Sequence, residues 1–172
     1  GLQWEPVGVA ARFKEVRSAL AKTDREALVA LSDVFPPVQA AINGCKKGAV
    51  VVAGDADSTF CRNVLQAHQV VGQVIGRETG PSGRALLALK EKNSRARYHF
   101  VSGSLSDLDE LASGPGGSDV SLYFADWVGN TPDALARAQR HCKVRPISVA
   151  ELAELMNVTH LTAVMDCVAW KK

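Results

Sequence analysis

The stretch Ala49–Phe60, AVVVAGDADSTF, decides the fold of this chain. It begins with an unbroken run of small and β-branched apolar residues, which predicts a strand buried on both faces, as in a parallel sheet between two layers of helices. Two acids follow directly, Asp55 and Asp57, and Asp57 can cap a helix whose apolar residues begin at Phe60. A buried strand that turns at once into a helix is the repeating unit of an α/β fold.

Strands and helices continue to alternate after this stretch. Apolar runs predict strands, and periodic apolar residues with cap signals predict the helices between them. The apolar runs are 49–53, 70–75, 98–101, 120–125, 144–147 and 161–169, and the predicted helices are 57–68, 81–89, 104–111, 131–141 and 148–156. We therefore expect right-handed βαβ units in a Rossmann-like, three-layer α/β/α domain with a mostly parallel sheet.

The first third of the chain is predicted to be helical. Apolar residues recur at helical spacing between 12 and 22, and Thr23 with Glu26 forms a capping box that starts a second helix. Phe35-Pro36-Pro37 ends that helix. We expect one domain, made of a helical N-terminal extension (1–34), a core of βα units (35–156) and a C-terminal strand segment (157–172).

Composition is that of an ordinary globular domain. The 172 residues are 47% hydrophobic and 22% charged, with a net charge of +2 and both signs interspersed, so no nucleic-acid binding is expected. No apolar run reaches the roughly 20 residues of a membrane span, so the chain is not expected to cross a membrane. Four cysteines without a Cys-x-x-Cys pair indicate reduced thiols and an intracellular or organellar compartment. No signal or transit segment is visible, although a processed chain can have lost one.

Residues 55–59 read Asp-Ala-Asp-Ser-Thr, which is the spacing of the phosphatase motif Asp-x-Asp-x-Thr. The motif supplies an aspartate nucleophile, a general acid and a helper hydroxyl. A phosphatase on a parallel sheet also needs a Ser or Thr, a lysine and a further acid for Mg²⁺ at the carboxyl ends of the strands. Ser102 and Asp126 could take two of these places, but residues 104–124 contain no lysine or arginine.

Two interpretations of Asp55 and Asp57 therefore remain. We favour a structural one, in which both carboxylates accept hydrogen bonds from the first-turn amides of the helix at 57–68. The alternative is an active Mg²⁺-dependent phosphatase that uses Asp55 and Asp57.

Other candidate sites are weaker. Gly80-Pro81-Ser82-Gly83 could hold a phosphate at a helix start, or it could be a plain turn. The histidines have no metal-ligand spacing, and His99 alternates along a strand as a packed or exposed residue would. We therefore expect no catalytic residue, no metal and no cofactor. The four histidines are His68, His99, His141 and His160.

Several segments between Val34 and Met156 together resemble a known family, the haloacid dehalogenase (HAD)-type hydrolases. They are Phe35-Pro36-Pro37-Val38, Glu78-Thr79-Gly80-Pro81, Tyr98-His99-Phe100-Val101 followed by Leu105 and Leu108, and Leu122-Tyr123-Phe124-Ala125-Asp126-Trp127 with Asn130-Thr131. The branch that they resemble is common in cyanobacteria and photosynthetic eukaryotes. The resemblance implies a HAD-like core and makes the N-terminal helices the remnant of a cap.

The same resemblance implies that catalysis has been lost. Gly54 stands where the family carries Ser or Thr, Ser82 where its lysine follows Gly-Pro, and Ser102-Gly103 where its Mg²⁺-binding acids lie. The chain opens with GLQWEPV and not with a nucleophile strand. We therefore expect a catalytically inactive accessory or structural subunit, or interaction module, of a larger assembly in a mitochondrion or plastid. Its expected partners are other protein subunits.

The C-terminal run His160–Asp166, HLTAVMD, has two possible positions. A HAD-type sheet places its nucleophile strand between the strands at 49–53 and 98–101. This run could fill that place, as in a circular permutation, or form an edge strand. It ends in Asp166, but the residue two positions further on is Val168 and not a second acid.

The three tryptophans are candidates for contacts with a partner, because aromatic residues are enriched at interfaces. For Trp127, packing into the core is the alternative. They are Trp4, Trp127 and Trp170.

Overall fold

The computed structural model describes residues 12, 15–16, 18–20, 22–45, 50–54, 56–114, 116–127, 130–157, 162–165 and 169–170. The elements are α1 (Arg25–Leu31), β1 (Ser32–Asp33), α2 (Pro36–Gly44), β2 (Val50–Ala53), α3 (Ser58–Ala67), β3 (Gln73–Ile75), a 3₁₀ turn (Arg77–Thr79), α4 (Ser82–Lys92), β4 (Tyr98–Ser102), α5 (Leu105–Ser113), β5 (Val120–Ala125), α6 (Pro132–Arg140), β6 (Val144–Ile147), α7 (Val149–Asn157), β7 (Thr162–Met165) and β8 (Ala169–Trp170). The predicted α/β class is confirmed.

Six strands form one sheet in the order β3-β2-β7-β4-β5-β6, and every neighbouring pair is parallel. The C-terminal strand β7 therefore lies in the centre, and not at the margin. Val164 is opposite Val51 on one side and Phe100 on the other. Without β7, both β2 and β4 would present an unpaired edge inside the sheet.

The two faces of the sheet are covered by different helices, which makes the architecture three-layered. Val50 and Val52 of β2 pack into a first core with buried residues of α1, α2, α3 and α7. Val51 and Ala53 point the other way, into a second core with α4, α5 and α6. Successive side chains of β2 thus point to opposite faces of the sheet, as expected for a strand that is buried on both faces. The three layers are compatible with a Rossmann-like domain.

Local signals set most helix starts as predicted. Asp57, Ser104 and Thr131 each accept a hydrogen bond from the backbone amide three residues further on. Ser148 and Glu151 form the predicted capping box, in which the Ser148 amide donates to Glu151 at 2.8 Å and the Glu151 amide donates to the Ser148 hydroxyl at 3.3 Å.

The predicted capping box of Thr23 and Glu26 is wrong. Asp24 is the N-cap of α1, and its carboxylate accepts the Ala27 amide at 2.9 Å. The Thr23 hydroxyl donates instead to the carbonyl of Ala19, one turn back, at 3.0 Å. A carboxylate also complements the positive end of the helix dipole, which favours aspartate over threonine as the cap.

A short antiparallel pair was not predicted. β1 continues directly from α1 and pairs with β8, with Ser32 opposite Trp170. Ser32 is fully buried, and its hydroxyl donates to the Leu28 carbonyl at 2.9 Å. This pair ties the end of the N-terminal helix to the segment that follows β7.

Among the residues that the structure describes, no helix combines the length and the apolar character needed to cross a membrane.

Deleting residues 158–172 should abolish cooperative folding. The deletion removes β7, so β2 and β4 lose their shared neighbour and leave two unpaired edges, a loss comparable to the whole stability of a domain, about 5–15 kcal/mol. Thermal unfolding followed by circular dichroism checks this, with deletion of residues 171–172 as the control. A cooperative transition in the longer deletion, at the temperature of the control, would contradict the central role of β7.

Candidate functional site

A cavity of about 350 Å³ lies where β2 and β3 end and α3 begins. The carboxyl ends of parallel strands are the usual binding edge of such a sheet. Residues after β2 and β3 form one wall, and N-terminal helical residues form the other. The lining residues are Ser18, Lys22, Leu28, Ala56, Asp57, Phe60 and Arg77.

Asp57 is the central acid of this cavity, and its carboxylate is already engaged. One oxygen accepts the Phe60 amide at 2.9 Å and a guanidinium N–H of Arg25 at 2.7 Å. Burial by itself would raise the pKa of Asp57, but these two hydrogen bonds and the positive charge of Arg25 outweigh it, and the net pKa is lowered. Asp57 is therefore an ionised acceptor at neutral pH, whereas a general acid must hold a proton.

A second carboxylate completes the cap of α3. Both oxygens of Glu78 accept the Ser58 amide, each at 3.2 Å. The hydroxyl of Ser58 is the main cause that lowers the pKa of Glu78. The amides of Ser58 and Phe60, which could have bound a ligand, are thus bound to the protein's own acids.

Gly76 is packed against this cap. A Cβ added to Gly76 would lie 2.7 Å from the carbonyl carbon of Asp57 and would also overlap the Ser58 amide and the Glu78 carboxylate. The backbone at Gly76 must therefore approach the start of α3 more closely than any side chain allows.

The cations around the cavity differ in their pairing. Arg25 is paired with Asp57, whereas Lys22 and Arg77 are exposed and form no ion pair with any other residue that the structure describes. The Nε of Arg25 is buried and has no acceptor in the described part of the chain. Among the residues that the structure describes, the lining therefore carries more positive than negative charge.

Among the residues that the structure describes, the ends of β2 and β4 carry no carboxylate. A Cβ on Gly54, at the end of β2, would lie 2.5 Å from the sulfur of Cys61, so this position leaves no room for a hydroxyl-bearing side chain. Ser102, at the end of β4, is fully buried, and its hydroxyl accepts the Ser104 amide at 3.0 Å. Within the described ranges, no group of three or more His, Cys, Asp or Glu residues could hold a metal ion.

Gly80–Gly83 lies at a second cavity, of about 210 Å³, between α4 and α5. Its charged lining residues are Arg84, Asp107 and Glu110, so acids outnumber the cation. This balance disfavours a phosphate and supports the interpretation of Gly80–Gly83 as a plain turn.

The histidines that the structure describes lie apart and are held by protein groups. His99 stacks on Tyr123 with ring centroids 5.8 Å apart, and burial, aided by a nearby arginine, lowers its pKa. The ring of His68 lies 3.0 Å from a backbone carbonyl, and that of His141 lies 3.3 Å from a carboxylate. His160 lies outside the described residues.

Several further candidates can now be placed. Trp127 is half-buried and packs against the first core, as the alternative proposed. Cys61 is buried in that same core. The described residues do not include Trp4, the side chain of Trp170, Asp55, Asp166 or Cys167.

Local sequence patterns hardly indicate the cations of this site. Arg25 is the exception, because an arginine in the first turn of a helix is unfavourable to the helix dipole, and this indicates an acidic partner from elsewhere in the fold. Lys22 and Arg77 are far apart in the sequence and meet at the cavity only through tertiary packing. No local pattern identifies such a meeting point.

Comparison with protein-family models, with curated proteins and with solved structures gives no significant match to this chain.

Substituting Gly76 by alanine should destabilise the fold by about 1–3 kcal/mol, because the new methyl group overlaps backbone and carboxylate atoms at the start of α3. Urea unfolding measures the loss. Gly44→Ala is the matched control, since a Cβ there meets nothing within 4 Å and alanine suits a helix end at least as well. Equal stability of the two variants would show that the close approach at Gly76 is not required.

Proposed function

We propose that this chain is a catalytically inactive HAD-like protein that serves as an accessory or structural subunit, or interaction module, of a larger protein assembly. One observation carries the proposal. Asp57, the second acid of the Asp-x-Asp-x-Thr spacing, caps α3 and pairs with Arg25. An acid held in its charged form by two donors cannot protonate a leaving group.

The strand order supports the HAD-like assignment. β7 lies between β2 and β4, which is the place of the nucleophile strand in a HAD-type sheet. In the sequence, β7 is followed by Asp166 and then, at the position of the second acid, by Val168. A strand in this place with one acid and not two fits a scaffold whose chemistry has been lost.

The ends of the neighbouring strands support the same proposal. The family's Ser or Thr is replaced by Gly54, where the sulfur of Cys61 fills the space. The family's metal-binding acids are replaced by Ser102 and Gly103, and Ser102 is buried and bonded to the backbone. These positions offer neither a phosphoryl ligand nor a hard oxygen anion for Mg²⁺.

A scaffold without its chemistry acts through what its surface binds. The partners that we propose are other protein subunits. The location in a mitochondrion or plastid rests on the branch of the family that the sequence resembles.

The competing function is an active Mg²⁺-dependent phosphatase that uses Asp55 and Asp57, and a hydrolysis assay separates the two. With Mg²⁺ and a panel of small phosphate monoesters, we expect no turnover that depends on Asp55, Asp57 or Asp166. The assay compares the unmodified chain with Asp55→Asn, Asp57→Asn and Asp166→Asn, each checked for helix content by circular dichroism. Turnover that a folded Asp55→Asn or Asp166→Asn variant loses would overturn the proposal.

A further inference from the structure

We propose that the cavity between the N-terminal helices and α3 binds an acidic peptide segment of a partner protein. A Glu or Asp carboxylate of that segment would lie against Lys22 and Arg77, and a neighbouring apolar side chain against Leu28 and Phe60. This inference rests on the proposed function, because a module of an assembly works by binding another protein.

The size of the cavity suits a side-chain anchor. At about 350 Å³ it is at the lower end of ligand pockets, so it has room for one or two side chains of a peptide and not for a large cofactor. Its walls come from two separate parts of the chain, the N-terminal helical residues and the loops after β2 and β3. A cleft between two such walls is open to a segment that enters from outside.

The charges of the cavity point to an anionic group. Lys22 and Arg77 both line it, and neither has an acidic partner among the residues that the structure describes. Asp57, an acid that lines the same cavity, is already paired with Arg25 at 2.7 Å. An incoming carboxylate would supply the missing negative charge, and the guanidinium of an arginine can donate two parallel hydrogen bonds to a carboxylate.

The cap of α3 favours a carboxylate over a phosphate. A free helix N-terminus would attract a phosphoryl group, but the amides of Ser58 and Phe60 are bound to Glu78 and Asp57. The anion is therefore expected to bind at the side chains of Lys22 and Arg77.

The apolar part of the lining would contact the apolar side chain of the peptide. Leu28 and Phe60 belong to the first core and are almost fully buried, yet both line the cavity. An apolar side chain placed on them would extend the core outward and exclude water from the carboxylate beside it. Interface hot spots lie in well-packed pockets from which water is excluded.

Selection of short random peptides displayed on phage, with the immobilised full chain as bait, tests the proposal. Enriched peptides should carry Asp or Glu beside an apolar residue. Fluorescence anisotropy then measures how tightly each enriched peptide, and its counterpart with Asn or Gln in place of the acid, binds the chain. The same peptides are measured with the unmodified chain and with the double variant Lys22→Gln/Arg77→Gln. We expect binding about five- to thirtyfold weaker in the double variant, from two partly exposed ion pairs, and weaker binding as salt rises.

The control is Lys92→Gln/Arg95→Gln, which removes the same charge from exposed positions at the end of α4, on the opposite face of the sheet, and should leave binding unchanged. Three outcomes would overturn the proposal: no enrichment of acidic peptides, equal binding by both double variants, or tighter binding of inorganic phosphate or phenyl phosphate at the same cavity. Each is independent of the hydrolysis assay, so this inference can fail while the lack of turnover stands.

Discussion

The pairing of β7 with both β2 and β4 is the interaction on which the rest of this fold depends. It joins the two halves of the sheet into one parallel layer, so that the two cores, one on each face, share a continuous support. It also aligns the ends of β2 and β4, which positions the start of α3 at the binding edge. A segment near the end of the chain thus completes the centre of the domain.

A second constraint acts at the start of α3, where two acids bind two of the first-turn amides and one arginine pairs with one of these acids. Asp57 and Glu78 occupy the amides, and Arg25 neutralises Asp57 from another helix. Asp57 therefore has the spacing of a catalytic motif but the role of a helix cap, and its ion pair with Arg25 connects α1 to the start of α3. Lys22 and Arg77 line the same cavity and form no ion pair with another described residue, which supports the proposal that this site recognises an anion.

Local sequence patterns predicted the elements but not their long-range partners. The limits of β5 and β6 agree with the apolar runs, and the caps at Asp57 and Ser148 follow from side chains that bond three residues away. The apolar run of β7 is compatible with a central or an edge position, and nothing in it indicates the β1–β8 pair, because apolar periodicity specifies a strand without specifying its neighbours. The cavity depends on tertiary contacts for the same reason.

The pKa of the Asp57 carboxyl group, measured by NMR titration, tests the central claim most directly. A capping, ion-paired Asp57 should titrate below its ordinary value of 3.8, and Arg25→Gln should raise that pKa towards it. A pKa above the ordinary value, unaffected by Arg25→Gln, would mean that Asp57 holds its proton as a general acid does, and would contradict the account.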